Sequence, residues 1–156
     1  MIAGCGSNNT VHAVELTEAA RDAGAAAALH VPPYYNRPNQ DGMAAHIEAV
    51  ADLGIPIVLY NVPGRTITEF SVETVGRLSR LPNVIAIKDA TGNLARVSDL
   101  AGELRRQLAR ARPNAYLALQ AFIEPSEVTG AAGVSISQSS GMIATGWSSS
   151  ALAKSA

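Results

Sequence analysis

At 156 residues the chain has one domain's length, and 47% hydrophobic with 16% charged residues excludes disorder. A formal net charge of -1 leaves no electrostatic footprint for nucleic acid, and no apolar run approaches the roughly 18 residues of a membrane span. The single cysteine, Cys5, excludes an intramolecular disulfide and a cysteine zinc site; with no secretory-type leader at the start, the expected compartment is the cytoplasm.

Residues 1–4 read as the end of a strand, followed by a Gly- and Asn-rich turn and a helix from Thr10, its expected N-cap, to Gly24. Residues 26–31 form a second strand, broken by Pro32 and Pro33 and followed by a polar loop through Tyr34, Tyr35, Asn36 and Arg37. A helical pattern runs from about Gln40 to Leu53, a very apolar strand over 55–62, and a loop through Pro63, Gly64, Arg65 and Thr66. Ser71 opens a short helix to about Arg80, and a strand from Val84 ends on Lys88. Asn93 caps a helix to about Ala111 with Leu94, Val97, Leu100 and Leu104 on one face. Residues 116–119 read as a fifth strand and 133–137 as a weaker sixth. Residues 1–138 are expected to form one domain, with 139–156 a low-information tail.

Strand and helix thus alternate every 25 to 30 residues, the pattern of repeated βα units with parallel strands. Neither a G-x-G-x-x-G nor a G-x-x-x-x-G-K-[ST] motif occurs, so a partial (β/α)8 barrel of five to six units is favoured over a doubly wound sheet. In either arrangement the C-terminal strand ends share one rim, and the polar, aromatic and charged residues fall there.

Lys88 is the chemically loaded position on that rim. Of the two lysines, Lys154 lies close to the C-terminus, so Lys88 is the lysine of the expected folded body. At the end of a buried strand desolvation penalises its charge, and a neutral amine attacks carbonyls to give a Schiff base. The alternative is a strand-end cation directed to solvent or paired with Asp89. Around it, Tyr60 could relay a proton, Arg65 could hold a carboxylate in bidentate fashion, and Tyr34 and Tyr35 could close the mouth or complete a hydroxyl relay. No His/Cys/Asp cluster has metal-ligand spacing.

Three ordered motifs, Pro33-Tyr34-Tyr35-Asn36-Arg37-Pro38, Leu59-Tyr60-Asn61-Val62-Pro63-Gly64-Arg65-Thr66 and Ile87-Lys88-Asp89-Ala90-Thr91-Gly92-Asn93, resemble the dihydrodipicolinate synthase family over about residues 1–112. The resemblance implies a (β/α)8 lyase of the class I aldolase type, condensing pyruvate with aspartate semialdehyde in lysine and diaminopimelate biosynthesis. It needs neither metal nor organic cofactor, because the protonated imine is the electron sink. By resemblance, Lys88 forms the Schiff base and Tyr60 is the central relay tyrosine. Tyr35 reaches into the neighbouring subunit's site within a dimer of dimers, and Arg65 binds the aldehyde substrate's carboxylate. Asn8 and Tyr34 match a feedback site for lysine, but His12 stands where sensitive members carry glutamate, so weak lysine regulation is expected.

The chain departs from that family elsewhere. It begins where the third barrel strand would be ending, and no Gly-Thr-Thr-Gly segment, the source of a relay threonine and carboxylate donors, occurs. Leu119-Gln120-Ala121-Phe122-Ile123-Glu124-Pro125 replaces an expected Ser-Gly-acidic stretch. The expectation is a synthase by descent, impaired on its own. The competing readings are another pyruvate aldolase of the superfamily and a non-catalytic fragment that keeps an assembly surface.

Overall fold

The computed structural model describes residues 1–111, 118–121 and 142–143. Their elements are strands β1 (Ile2–Gly4), β2 (Ala27–His30), β3 (Ile57–Asn61), β4 (Val84–Asp89), β5 (Ala118–Ala121) and β6 (Met142–Ile143), and helices α1 (Thr10–Asp22), α2 (Gln40–Ala51), α3 (Pro63–Thr66), α4 (Val72–Leu78) and α5 (Leu94–Ala111). The expected sixth strand over 133–137 and most of the expected tail lie outside the described residues.

The strands lie side by side in chain order, β1-β2-β3-β4-β5-β6, and β1 to β5 pair in parallel. A doubly wound sheet reverses direction at a switch point. Here each parallel strand from β1 to β5 adds beside the last without a reversal of order, as in a barrel. The two-residue β6 departs from this rule and pairs antiparallel with β5, Leu119 opposite Ile143 and Gln120 opposite Met142.

Capping residues set the helix starts. The cap of α1 is Asn9 rather than Thr10: its Oδ1 accepts from the His12 amide at 3.1 Å. Asn39 caps α2 through the Gly42 amide and Ser71 caps α4 through the Thr74 amide. Asn93 accepts from the Arg96 amide at 3.3 Å at the start of α5. At the end of α1, Gly24 takes φ +77° while its own amide bonds Arg21, a left-handed turn that a side chain would strain. The short helix α3 was expected as loop; Pro63 at its first position supplies the φ a helix needs.

Strand alternation divides the sheet into two faces. Ala28, His30, Ile57, Leu59, Asn61, Val84, Ile87 and Asp89 are buried on the helix side, with Met43, Ile47, Phe70, Leu78 and Leu100 completing the core. Fully burying each large apolar side chain contributes about 1.5–3 kcal/mol. The register steps from Ile57–Val84 to Val58–Ala86, so Ile85 is an extra residue in β4 and is exposed. That bulge sets which side chains of β4 reach the other face: Ala86 and Lys88 join Val58 and Tyr60 there.

Candidate active site

Tyr60 and Lys88 are register partners at the C-terminal ends of adjacent parallel strands. The Lys88 Nζ stands 4.2 Å from the centroid of the Tyr60 ring. Both side chains are half-buried. The amine therefore sits on the inner face beside a phenol, not on the helix side of the sheet. Asp89, weighed from the sequence as a partner for Lys88, faces the other way and pairs with Arg96 at 2.9 Å.

The loop after β2 carries Tyr34 and Tyr35, both exposed, Tyr35 to 86%. The Asn36 amide donates to the Tyr34 carbonyl at 2.9 Å and Tyr35 has φ +71°, so Tyr35 is the centre of a γ-turn with a positive central φ. Such turns are rare and strained, and strain of this kind gathers at functional sites. Arg37 also takes a positive φ, 43°. Asn36 Nδ2 donates to the Asn8 carbonyl at 3.1 Å, tying this loop to the one after β1.

Arg65 lies in α3, one short loop beyond Tyr60, with its side chain exposed. Its backbone amide donates to the Val62 carbonyl at 2.8 Å, and Thr66 Oγ1 lies 2.7 Å from the Thr68 carbonyl oxygen, the nearer acceptor for its one proton, and 3.1 Å from that of Val62. These bonds hold the turn that presents the guanidinium. His12 is exposed on α1, its Nδ1 at 3.2 Å from Glu15.

Behind the rim lies a polar layer that sequence reading noticed only in part. Asn61 and Asp89, the next register pair after Tyr60 and Lys88, are buried on the helix side and joined through Asn61 Nδ2 at 3.3 Å. A second buried polar group contains His30 and His46. The Thr17 hydroxyl gives its proton to the Ala13 carbonyl at 2.6 Å, so it accepts from His30 Nε2 at 3.2 Å, which places the His30 proton on Nε2. His30 Nδ1 and His46 Nε2 have no hydrogen-bond partner among the described residues. Burial pushes His30 down to about 4, with His46 adding to the shift, and burial lowers His46 as well. Among the described residues there is no group of three or more His, Cys, Asp or Glu able to hold a metal ion, and no helix is long and apolar enough to cross a membrane.

Residues 1–145 match the model of the dihydrodipicolinate synthetase family. The chain belongs to that family. Its parallel, sequentially ordered sheet is accordingly a partial (β/α)8 barrel. Curated relatives named 4-hydroxy-tetrahydrodipicolinate synthase include that of Parvibaculum lavamentivorans, 59% identical over 99 residues, which are 63% of this chain and 34% of the relative. The chain thus spans about a third of the length of the curated relatives it matches. Among solved structures, the dihydrodipicolinate synthase of Acinetobacter baumannii complexed with pyruvate is 45% identical, with a TM-score of 0.69 over 77% of this chain and 38% of that one. The enzyme of Cyanidioschyzon merolae with lysine bound is 38% identical, with a TM-score of 0.65 over 77% of this chain and 38% of that one.

Proposed function

We propose that this chain carries the imine-forming part of a pyruvate-condensing lyase of the 4-hydroxy-tetrahydrodipicolinate synthase type. The observation that carries the reading is the Lys88 amine standing over the Tyr60 ring at the C-terminal strand ends. Membership of the family and the pyruvate held by the Acinetobacter baumannii relative support pyruvate as the ketone.

In this mechanism neutral Lys88 Nζ adds to the pyruvate ketone. The Tyr60 phenol passes a proton to the carbinolamine hydroxyl, water leaves, and an iminium remains. Loss of a methyl proton gives the enamine, whose carbon attacks the aldehyde of aspartate semialdehyde. Attack of that substrate's amino group on the imine carbon closes the ring and releases Lys88. The iminium supplies the electron sink, so the scheme needs neither metal nor organic cofactor.

Arg65, exposed on α3, is placed to grip the carboxylate of the incoming aldehyde. Tyr35, on its strained and exposed turn, is the group a second copy of the chain would receive. Lysine, seen bound in the Cyanidioschyzon merolae relative, is expected to act weakly here. Its ammonium would meet the His12 imidazole, already in contact with Glu15. The buried thiol of Cys5 suits a reducing compartment such as the cytoplasm.

Borohydride reduction in the presence of pyruvate tests the reading. The reduced pyruvate adduct is expected on Lys88 by peptide mass, and a Lys88→Ala protein that trapped as much would refute it. No Gly-Thr-Thr-Gly segment occurs in the 156 residues, so trapping is expected without turnover at the rate of full-length relatives.

A further inference from the structure

The sheet's two faces are coupled at one point. Tyr60 and Lys88 pair on the inner face, and the next register pair, Asn61 and Asp89, pairs on the helix face. Successive strand side chains point in opposite directions, so the amine cannot turn about its strand without carrying the neighbouring carboxylate with it.

That carboxylate is held on every side. The Asp89 side chain is 1% exposed and that of Arg96 10%. Asp89 Oδ2 accepts from Arg96 Nε at 2.9 Å and from Asn61 Nδ2 at 3.3 Å. Asp89 Oδ1 accepts from the Thr91 hydroxyl at 2.5 Å and the Thr91 amide at 3.2 Å. These four bonds fill the acceptor capacity of an ionised carboxylate. Asn61 also exchanges bonds with the Phe70 backbone, Nδ2 donating to its carbonyl at 3.2 Å and Oδ1 accepting from its amide at 3.0 Å. Arg96 Nη2 donates to the same Phe70 carbonyl. The network thus ties β3, β4, the segment before α4 and the first turn of α5.

We propose that Asp89, with Asn61 and Arg96, is a positioning lock: it fixes the twist of the β3 and β4 ends so that the Lys88 amine and the Tyr60 ring meet in one geometry. Asp89 touches no substrate and acts through Lys88. The proposal rests on Lys88 as the reacting amine for its catalytic meaning, but its geometric content can be read without any substrate.

Reductive methylation with ¹³C-formaldehyde labels both lysines and the Met1 amine, and the methyl resonance missing from a Lys88→Arg protein is that of Lys88. Held over the Tyr60 ring, that resonance is expected upfield, and Tyr60→Leu is expected to abolish the shift. In Asp89→Asn, with unchanged far-UV circular dichroism, the resonance is expected to move at least halfway to its Tyr60→Leu position. On unlabelled protein the trapping rate at saturating pyruvate is expected to fall about tenfold, with half-saturation within about twofold. A resonance that stays in place overturns the lock. Should Asp89→Asn fail to fold, Arg96→Lys decides by the same criterion, since one ammonium cannot reproduce the fork to Asp89 and Phe70. Wild-type protein that traps no pyruvate would refute the lyase reading, while the methyl resonance still judges the lock.

Discussion

Lys88 and Tyr60 meet as an amine over an aromatic face, Nζ 4.2 Å from the ring centroid, on strands whose register places the two residues opposite each other. The contact contains two separable contributions. The ring face attracts a cation, worth about 0.5–2 kcal/mol. The hydroxyl is the only part able to move a proton. Tyr60→Phe keeps the ring and removes the proton carrier. Its trapping rate with pyruvate is expected to fall about 100-fold at unchanged thermal stability. Stopped trapping assays beside a melting curve check it; an unchanged rate would remove Tyr60 from the relay.

In the proposed reaction, Arg65 is the residue whose loss should affect the aldehyde and spare pyruvate. Its exposed guanidinium is presented from α3, outside the Lys88–Tyr60 contact. Arg65→Ala is therefore expected to leave pyruvate trapping within about twofold. In the unaltered chain, adding aspartate semialdehyde should consume the enamine and lower the trapped fraction; in Arg65→Ala that competition should need about tenfold more aldehyde, the loss of one charge-assisted contact. Equal competition in both proteins would point to a different aldehyde.

The strand order and the rim were legible in the chain because their signals are local. Apolar runs over 55–62 and from Val84 to Lys88 mark strands, and Ser71 and Asn93 mark helix starts, whereas the Asn39 cap of α2 went unread. What stayed hidden was non-local. Asp89 follows Lys88 directly, so sequence proximity suggested a pair, whereas strand alternation sends the two side chains to opposite faces and hands Asp89 to Arg96. A buried polar residue in a strand demands partners, which was the available signal. The identity of those partners spans residues 61, 70, 89 and 96, and no spacing rule connects them. The γ-turn at Tyr35 was equally hidden, since a tyrosine with positive φ violates local preference and is held by the surrounding loops.

Gly6 shows how tightly the β1 and β2 ends approach. A Cβ built there would lie 2.7 Å from Val31 Cγ2 and 3.1 Å from the Val31 backbone nitrogen. The backbone cannot swing aside, because the Cys5 amide donates to the Leu29 carbonyl at 3.1 Å. Gly6→Ala is expected to cost about 1–3 kcal/mol. Gly4→Ala, where a Cβ meets nothing within 4 Å, should stay within about 0.5 kcal/mol. Urea midpoints of the two variants check the contrast.

The buried histidines make acid a specific solvent for this fold. His30 is 0% exposed, its Nε2 proton is engaged by Thr17, and its Nδ1 has no hydrogen-bond partner among the described residues. Protonation would place a charge on that unpartnered nitrogen, near His46, whose own affinity for protons is also lowered by burial. The folded-state value, about 4, lies below the ordinary 6.5, so as pH falls the unfolded chain takes up the proton first. His30's contribution is therefore fully present above 6.5 and drains as pH falls toward 4. The loss amounts to about 3 kcal/mol for His30 alone, with His46 adding in the same direction. His30→Gln keeps a donor for Thr17 and cannot be charged. Its unfolding free energy, measured in urea between about pH 7 and about pH 4, is expected to lose more than half of the wild-type slope. An equal slope in both proteins would move the acid sensitivity to other groups.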